Sequence, residues 1–203
     1  MTEPASRRVS RRLPVIAWPW LWLALLSAGS APAAAQQVLG TFDPEHTRFG
    51  FELRTRWGQR VTGTFPGYDG EVLVLPDGRH QVRIRLDTSQ VELAGSTRYT
   101  DMARGEGFFD AQRFPLIEFV SDPHHPELAH DGGRLRGRLS MHGAQRVETF
   151  SLAPSECARP GLGCDVRASG SVSRDAYGLD GWKLVLGDRV RFDMQVRLLA
   201  PEG

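Results

Sequence analysis

The sequence predicts an all-β protein built from antiparallel strands, on three observations. Apolar and polar residues alternate with a period of two through almost every segment from Val38 onward, the pattern of strands with one dry and one wet face. Steps containing Gly, Asp or Pro punctuate these runs at short intervals, as hairpin turns do. Only Ser96 to Gly107 breaks the pattern, and there Ser96 can cap a short helix that Gly105 and Gly107 end.

The 203 residues allow one ordinary domain with a short extension. That extension comes first. Arg7, Arg8, Arg11 and Arg12 form a positive leader, Leu13 to Leu26 an apolar core, and Ala33-Ala34-Ala35 a small-residue cleavage site before Gln36. Residues 1–35 are therefore expected to be a cleaved export signal and 36–203 the folded domain. The apolar core is short and interrupted by Pro14 and Pro19, which disfavours a membrane span. Removing the leader turns a net charge of +1 into −2. That balance excludes nucleic acid as a partner, since a nucleic-acid surface needs a basic patch.

Within the domain, Phe49, Phe51 and Leu53 form the first clear apolar face, and Val61, Gly63 and Phe65 the next. Segment 68–75 and the run Val82, Ile84, Leu86 follow, joined by a turn at Pro76-Asp77-Gly78. Ile117 and Phe119 alternate with Glu118 beyond the extended Arg113-Phe114-Pro115 step, where proline disfavours helix for the residue before it. After Asp131-Gly132-Gly133 come Leu135, Gly137, Leu139 and Met141, then segment 146–152. Val166, Ala168, Gly170 and Val172 precede an apolar strand over 182–186, a tight hairpin at Gly187-Asp188, and the longest run, Val190, Phe192, Met194, Val196 and Leu198. At least eight strands result. A sandwich of two sheets and a closed barrel of about eight strands both satisfy this pattern.

Cys157 and Cys164 flank Ala-Arg-Pro-Gly-Leu-Gly, a stretch able to fold back on itself. In an exported chain this spacing predicts a disulfide across a hairpin loop, worth about 2–3 kcal/mol for so short a loop. The segment Asp122-Pro-His124-His125-Pro-Glu127, with His130-Asp131, has metal-ligand chemistry, but its prolines and its place between strands predict a solvated loop and no metal. No nucleophile elbow, phosphate loop, zinc-protease helix or dinucleotide fingerprint is present. The protein is read as a binder without a cofactor, not as an enzyme.

Four segments carry a further signal. They are Asp43-Pro-Glu-His-Thr-Arg-Phe-Gly-Phe51, Gly107-Phe-Phe-Asp-Ala-Gln-Arg-Phe-Pro-Leu-Ile-Glu-Phe119, Leu139-Ser-Met-His-Gly143 and Ser173-Arg-Asp-Ala-Tyr-Gly-Leu179. In this order they resemble the YceI-like family of periplasmic lipid-binding β-barrel proteins, over about residues 38–199. The resemblance implies an extended antiparallel β-barrel of about eight strands, similar to the lipocalins, with one short helix outside. It implies a periplasmic location and a hydrophobic or amphiphilic ligand, such as a polyisoprenoid lipid or quinone tail. The competing reading is an accessory protein of envelope stress or respiratory electron transfer that presents such a ligand to a membrane partner. A second copy of the chain is a further expected partner.

If every apolar face points inward, Phe49, Phe51, Ile117, Phe119, Leu139, Met141, Phe192 and Met194 wall the ligand site. Gly63, Gly137 and Gly170 hold apolar positions without a side chain, either to bend a strand or to leave a cavity along the barrel axis. His46 and His142, inside the family motifs, are candidates for a polar head group or for bracing a strand end. Arg98 and Asp101 are a candidate buried pair under the helix or a head-group anchor. The family places its Arg and Asp adjacent, whereas Tyr99 and Thr100 separate them here. The family also follows His-Gly with Thr, where this chain has Ala144-Gln145-Arg146.

Overall fold

The structure is a computed structural model that describes residues 36–201. The expected export signal lies outside the described residues. Twelve strands follow the alternation: β1 (Gln37–Phe42), β2 (Arg48–Thr55), β3 (Arg60–Thr64), β4 (Tyr68–Val74), β5 (His80–Asp87), β6 (Glu92–Leu93), β7 (Leu116–Ser121), β8 (Gly133–Met141), β9 (Ala144–Leu152), β10 (Val166–Ser173), β11 (Leu186–Val196) and β12 (Leu198–Leu199). Every pairing is antiparallel, in the order β12-β1-β4-β5-β7-β8-β9-β10-β11-β2-β3-β6.

That order hides a ring. β1 pairs with β4 while β2 pairs with β3, and the registers are offset by only two residues (Thr41 faces Glu71, Gly50 faces Thr64). β1 and β2 are thus one long strand interrupted at residues 43–47, and β3 and β4 another interrupted at 65–67. β5 and β6 continue each other in the same way, because β4 pairs with β5 and β3 with β6. β11 pairs with β2, and its continuation β12 pairs with β1. Eight composite strands result, each bonded to two neighbours, and the sheet closes into a barrel. Closure removes the exposed edges that an open sheet would leave.

The interruptions are built by side chains. At the first, buried Asp43 accepts the Glu45 amide at 2.8 Å and faces His46 Nδ1 at 2.7 Å, while Tyr68 Oη donates to the Thr47 carbonyl at 3.0 Å. Thr47 Oγ1 also donates to the Arg197 carbonyl and accepts from the Arg197 amide, both at 3.1 Å, which ties the jog to the end of the chain.

One helix, α1 (Thr97–Arg104), lies where the alternation breaks, with Ser96 as its N-cap and Gly105 as its C-cap. A one-turn helix, α2 (Leu128–Asp131), forms inside the expected solvated loop. The expected strand over 182–186 and hairpin at Gly187-Asp188 are absent. Residues 181–185 are turns, and Gly187-Asp188 runs inside β11, at a register shift between Leu186 and Val190. The reason is local. Asp188 Oδ1 accepts both the Ser173 hydroxyl and the Asp175 amide, and its carbonyl accepts the Arg174 amide, so the residue staples β11 to the end of β10.

Candidate ligand-binding site

The apolar parity of each strand does point inward, but the two ends of the barrel are filled differently. At one end the segment after α1 enters the lumen. Phe108 and Phe109 are both buried, T-shaped to each other at 4.7 Å, and Phe109 stacks on Phe65 at 5.7 Å and Phe51 at 6.3 Å. Asp110 (φ 48°) turns the chain back out, its carbonyl accepting the amides of Arg113 and Phe114. Beside them Arg174 is 1% exposed. Its guanidinium lies 4.9 Å from the Phe108 ring centroid and donates through Nη2 to the carbonyls of Leu179 (2.9 Å) and Gly181 (2.5 Å). No carboxylate pairs with it among the described residues, and burial lowers its pKa against the pull of Asp175, Asp188 and Asp180. This end is a plug.

The other end is hollow. A cavity of about 330 Å³ runs along the axis, walled by Leu39, Val82, Ile84, Ile117, Phe119, Leu135, Leu139, Phe150, Leu152, Ala168, Phe192, Met194 and Leu198 among others. It opens between α2, with Pro126 and Ala129, and the loop Arg159-Pro160-Gly161-Leu162. That loop is held over the mouth by β12, whose Leu198 amide donates to the Gly161 carbonyl at 2.7 Å. Only three polar side chains reach the cavity, His80, His124 and Arg159, all at the mouth. His80 and His124 exchange backbone hydrogen bonds of 2.8 and 2.9 Å, and their rings stand edge to face at 6.4 Å. Burial lowers both imidazole pKa values; Glu127 partly opposes this for His80, and the Asp122 carbonyl for His124.

Among the residues expected to wall a ligand site, Ile117, Phe119, Leu139, Phe192 and Met194 line this cavity. Phe49 packs behind Phe42, Phe51 belongs to the plug, and Met141 is buried away from the cavity. Gly63, Gly137 and Gly170 do not line it either. Each seats a phenylalanine ring from the neighbouring strand: Phe51 over Gly63, Phe119 over Gly137 and Phe150 over Gly170. A Cβ at Gly137 would meet Phe119 Cε2 at 2.7 Å, and one at Gly170 would meet Phe150 Cε1 at 3.0 Å. The glycines accommodate the aromatic walls, and two of those rings, Phe119 and Phe150, face the cavity.

The expected polar residues lie elsewhere. His46 braces the β1–β2 jog. His142 (φ 50°) occupies the β8–β9 turn, where Nδ1 donates to the Tyr177 carbonyl at 3.1 Å and the ring packs on Phe114. Arg98 and Asp101 are exposed on α1 and form no ion pair, so the expected buried pair is not formed. Two intervening residues set them apart, and α1 is held instead by Arg104 Nε on the Val91 carbonyl and by Thr100 Oγ1, which accepts the Leu93 amide. Cys157 and Cys164 are free thiols rather than a bridge. They are hydrogen-bonded to each other: the contact raises the pKa of Cys157 and, with the Ser155 hydroxyl at 3.4 Å, lowers that of Cys164. The mouth residues His80 and Arg159 carried no sequence signal, and His124 had one only as part of a loop cluster.

Fold and cavity together define a small-ligand barrel: a closed antiparallel sheet, plugged at one end, with a dry space open at the other. The chain belongs to the YceI-like domain family, which matches residues 41–198. Among solved structures it is similar to BcnA of Burkholderia cenocepacia (18% identity, TM-score 0.64, covering 76% of this chain and 98% of that one). It is also similar to a polyisoprenoid binding domain from Saccharophagus degradans implicated in plant cell wall breakdown (13%, TM-score 0.62, 81% and 100%). A third similar structure is the YceI protein of Campylobacter jejuni (13%, TM-score 0.52, 70% and 85%). No curated protein matches the chain.

Proposed function

We propose that the protein binds and carries the apolar chain of a lipid, a polyisoprenoid or quinone tail, inside its barrel, after export to the periplasm and removal of residues 1–35. The observation that carries this reading is the axial cavity, apolar along its length and polar only at its mouth. A space of about 330 Å³ is at the low end of small-molecule sites, which span roughly 300–1,000 Å³. At about 30 Å³ per water-sized group it holds roughly eleven heavy atoms, or about two isoprene units. The end of a tail therefore enters and the remainder stays outside. Burying ten carbons contributes about 8 kcal/mol gross at ~0.8 per CH₂-sized group. Loss of free tumbling costs about 4 kcal/mol or more. Tail burial alone thus gives modest affinity, suited to a carrier that must also release. Nothing in this mechanism needs a catalytic group.

Native mass spectrometry of the protein purified from its own host tests the reading. The expected result is a co-purified lipid that Ala168→Phe, which fills the cavity from β10, displaces without lowering the melting temperature. Ala168→Phe protein that melts normally and retains its lipid would overturn it.

The accessory reading rests on a different observation. Trp57 (62% exposed), Tyr99, Trp182 and Leu184 (88% exposed) cluster at the plugged end, around a cleft between α1 and residues 182–186. A membrane respiratory or stress partner docking there would leave the mouth free to exchange ligand. A homodimer through the same face is the competing occupant. Crosslinking from Trp182→Cys separates a membrane protein from a second copy, and no crosslink would remove this reading.

A further inference from the structure

The mouth of the cavity bears on the class of head group, an inference that rests on the carrier reading above. Everything else the ligand touches is apolar, so His80, His124 and Arg159 are the only side chains able to recognise a polar head. His124 is fixed by its own segment. Its Nδ1 lies 3.2 Å from the Asp122 carbonyl, which can only accept, so Nδ1 carries the proton and Nε2 is left as an acceptor. The Ser121 hydroxyl, 3.5 Å from Nδ1, holds the ring from the same side. The groups facing His124 are His80 from β5, His125 and Glu127 from its own loop, and Arg159 from the loop across the mouth. Asp122 is engaged by Arg136 at 2.6 Å. Arg159 forms no ion pair among the described residues, so its guanidinium is the available donor, and Glu127 offsets its charge.

We infer that the mouth selects an uncharged hydroxyl head, an alcohol or phenol, whose O–H donates to His124 Nε2 and whose oxygen accepts from Arg159. An ether or ester has no proton for Nε2 and leaves that half-buried acceptor without a partner. A phosphate has no proton for it either at neutral pH, and it brings its negative charge against Glu127. Burial keeps the imidazoles neutral, so they do not compensate an anion. Acidification reverses the selection: once Nε2 is protonated it becomes a donor, and an anion gains where the hydroxyl loses.

Three probes with one ten-carbon tail test this: geraniol, its methyl ether and geranyl phosphate, titrated calorimetrically into the full exported chain. At pH 7.5 geraniol is expected to bind about tenfold tighter than the ether, the effect of one hydrogen bond lost from a buried acceptor. The phosphate is expected to be weaker than geraniol at pH 7.5 and to gain on it at pH 5. His124→Phe keeps a ring at the mouth without the acceptor, and should bind the ether as wild type does while losing the preference for geraniol. Equal binding of alcohol and ether to wild type at pH 7.5, or tighter binding of the phosphate, overturns the head-group inference and leaves the carrier reading standing. If no probe binds, both fall. A His124→Phe variant that still prefers the alcohol overturns the assignment to this residue.

Discussion

The two ends of the barrel are made from the same alternating strands and differ in what enters the lumen between them. At the plugged end a connection folds inward, bringing Phe108, Phe109 and the Arg174 guanidinium into the space between Phe51 and Phe65. At the open end the connections stay on top, presenting Pro126, Ala129, Gly161 and Leu162, and the lumen is left to side chains of the wall itself. A barrel of eight strands is just wide enough to be filled or to hold one small ligand. Here it does one at each end. What decides between core and cavity is the connecting segment rather than the strand.

The largest expected effects test whether the plug is the more stable end. Phe109→Ala should cost about 3–5 kcal/mol, as large-to-small core substitutions do. Arg174→Ala should cost about 3 kcal/mol, because it strands the carbonyls of Leu179 and Gly181 without donors. Leu162→Ala, at the mouth, should cost under about 1 kcal/mol. Urea unfolding of the three variants gives the ranking, and equal costs at both ends would break the comparison.

Oxidation should strengthen the open end selectively. Cys157 and Cys164 bracket the loop over the mouth, and linking them should add about 2–3 kcal/mol while slowing ligand exchange. Non-reducing peptide maps of the exported protein should show one intramolecular link. Two free thiols in native material would leave the mouth loop as open as the structure has it.

Gly170→Ala probes the wall between the ends. The new Cβ falls on Phe150, so the ring must swing toward the cavity at a cost of about 1–3 kcal/mol. Melting temperature and ligand capacity should fall together. A variant that melts lower yet holds its full lipid load would show that the ring moves elsewhere.

The smallest effect is a pH dependence confined to the mouth. Burial lowers the folded-state pKa of His80 and His124 from 6.5, so just below that pH the unfolded chain binds more protons than the folded one. Stability should therefore fall as pH drops below about 6.5, and His80→Phe with His124→Phe should flatten that limb. A second loss, below about 3.8, belongs to Asp43, Asp87 and Asp188. Burial opposes their ionisation, but hydrogen bonds hold each carboxyl below its ordinary value. Those three lie away from the mouth, so the double variant should leave the second loss unchanged.

The barrel was legible in the sequence because period two is a local property: Phe49 to Leu53 and Val190 to Leu198 state their buried faces unaided. Gly187-Asp188 misled for the same reason, since its turn chemistry is local while the bonds of Asp188 to Ser173 and Asp175 are not. The walls Ile117, Phe119, Leu139, Phe192 and Met194 followed from parity. Which glycines face space and which face a ring did not, because the ring comes from another strand. The mouth was least legible. His80 ends a strand, His124 sits in a loop and Arg159 lies between two cysteines, and only the closed barrel brings them to one opening.

The tie between the first jog and the chain terminus sets the order in which the molecule can be made. Thr47 and Arg197 are 150 residues apart, and Asp43 also gives its amide to the Arg197 carbonyl. Until β11 and β12 have arrived, β1 and β2 have no partner on that side and the ring is an open ribbon with two bare edges. Contacts of such long sequence separation are slow to form, so closure is the expected rate-limiting step of folding. Circular permutation that joins residue 201 to residue 36 and opens the chain at Pro76-Asp77-Gly78 would make the closing pair a near neighbour. The permuted chain should fold faster to the same barrel.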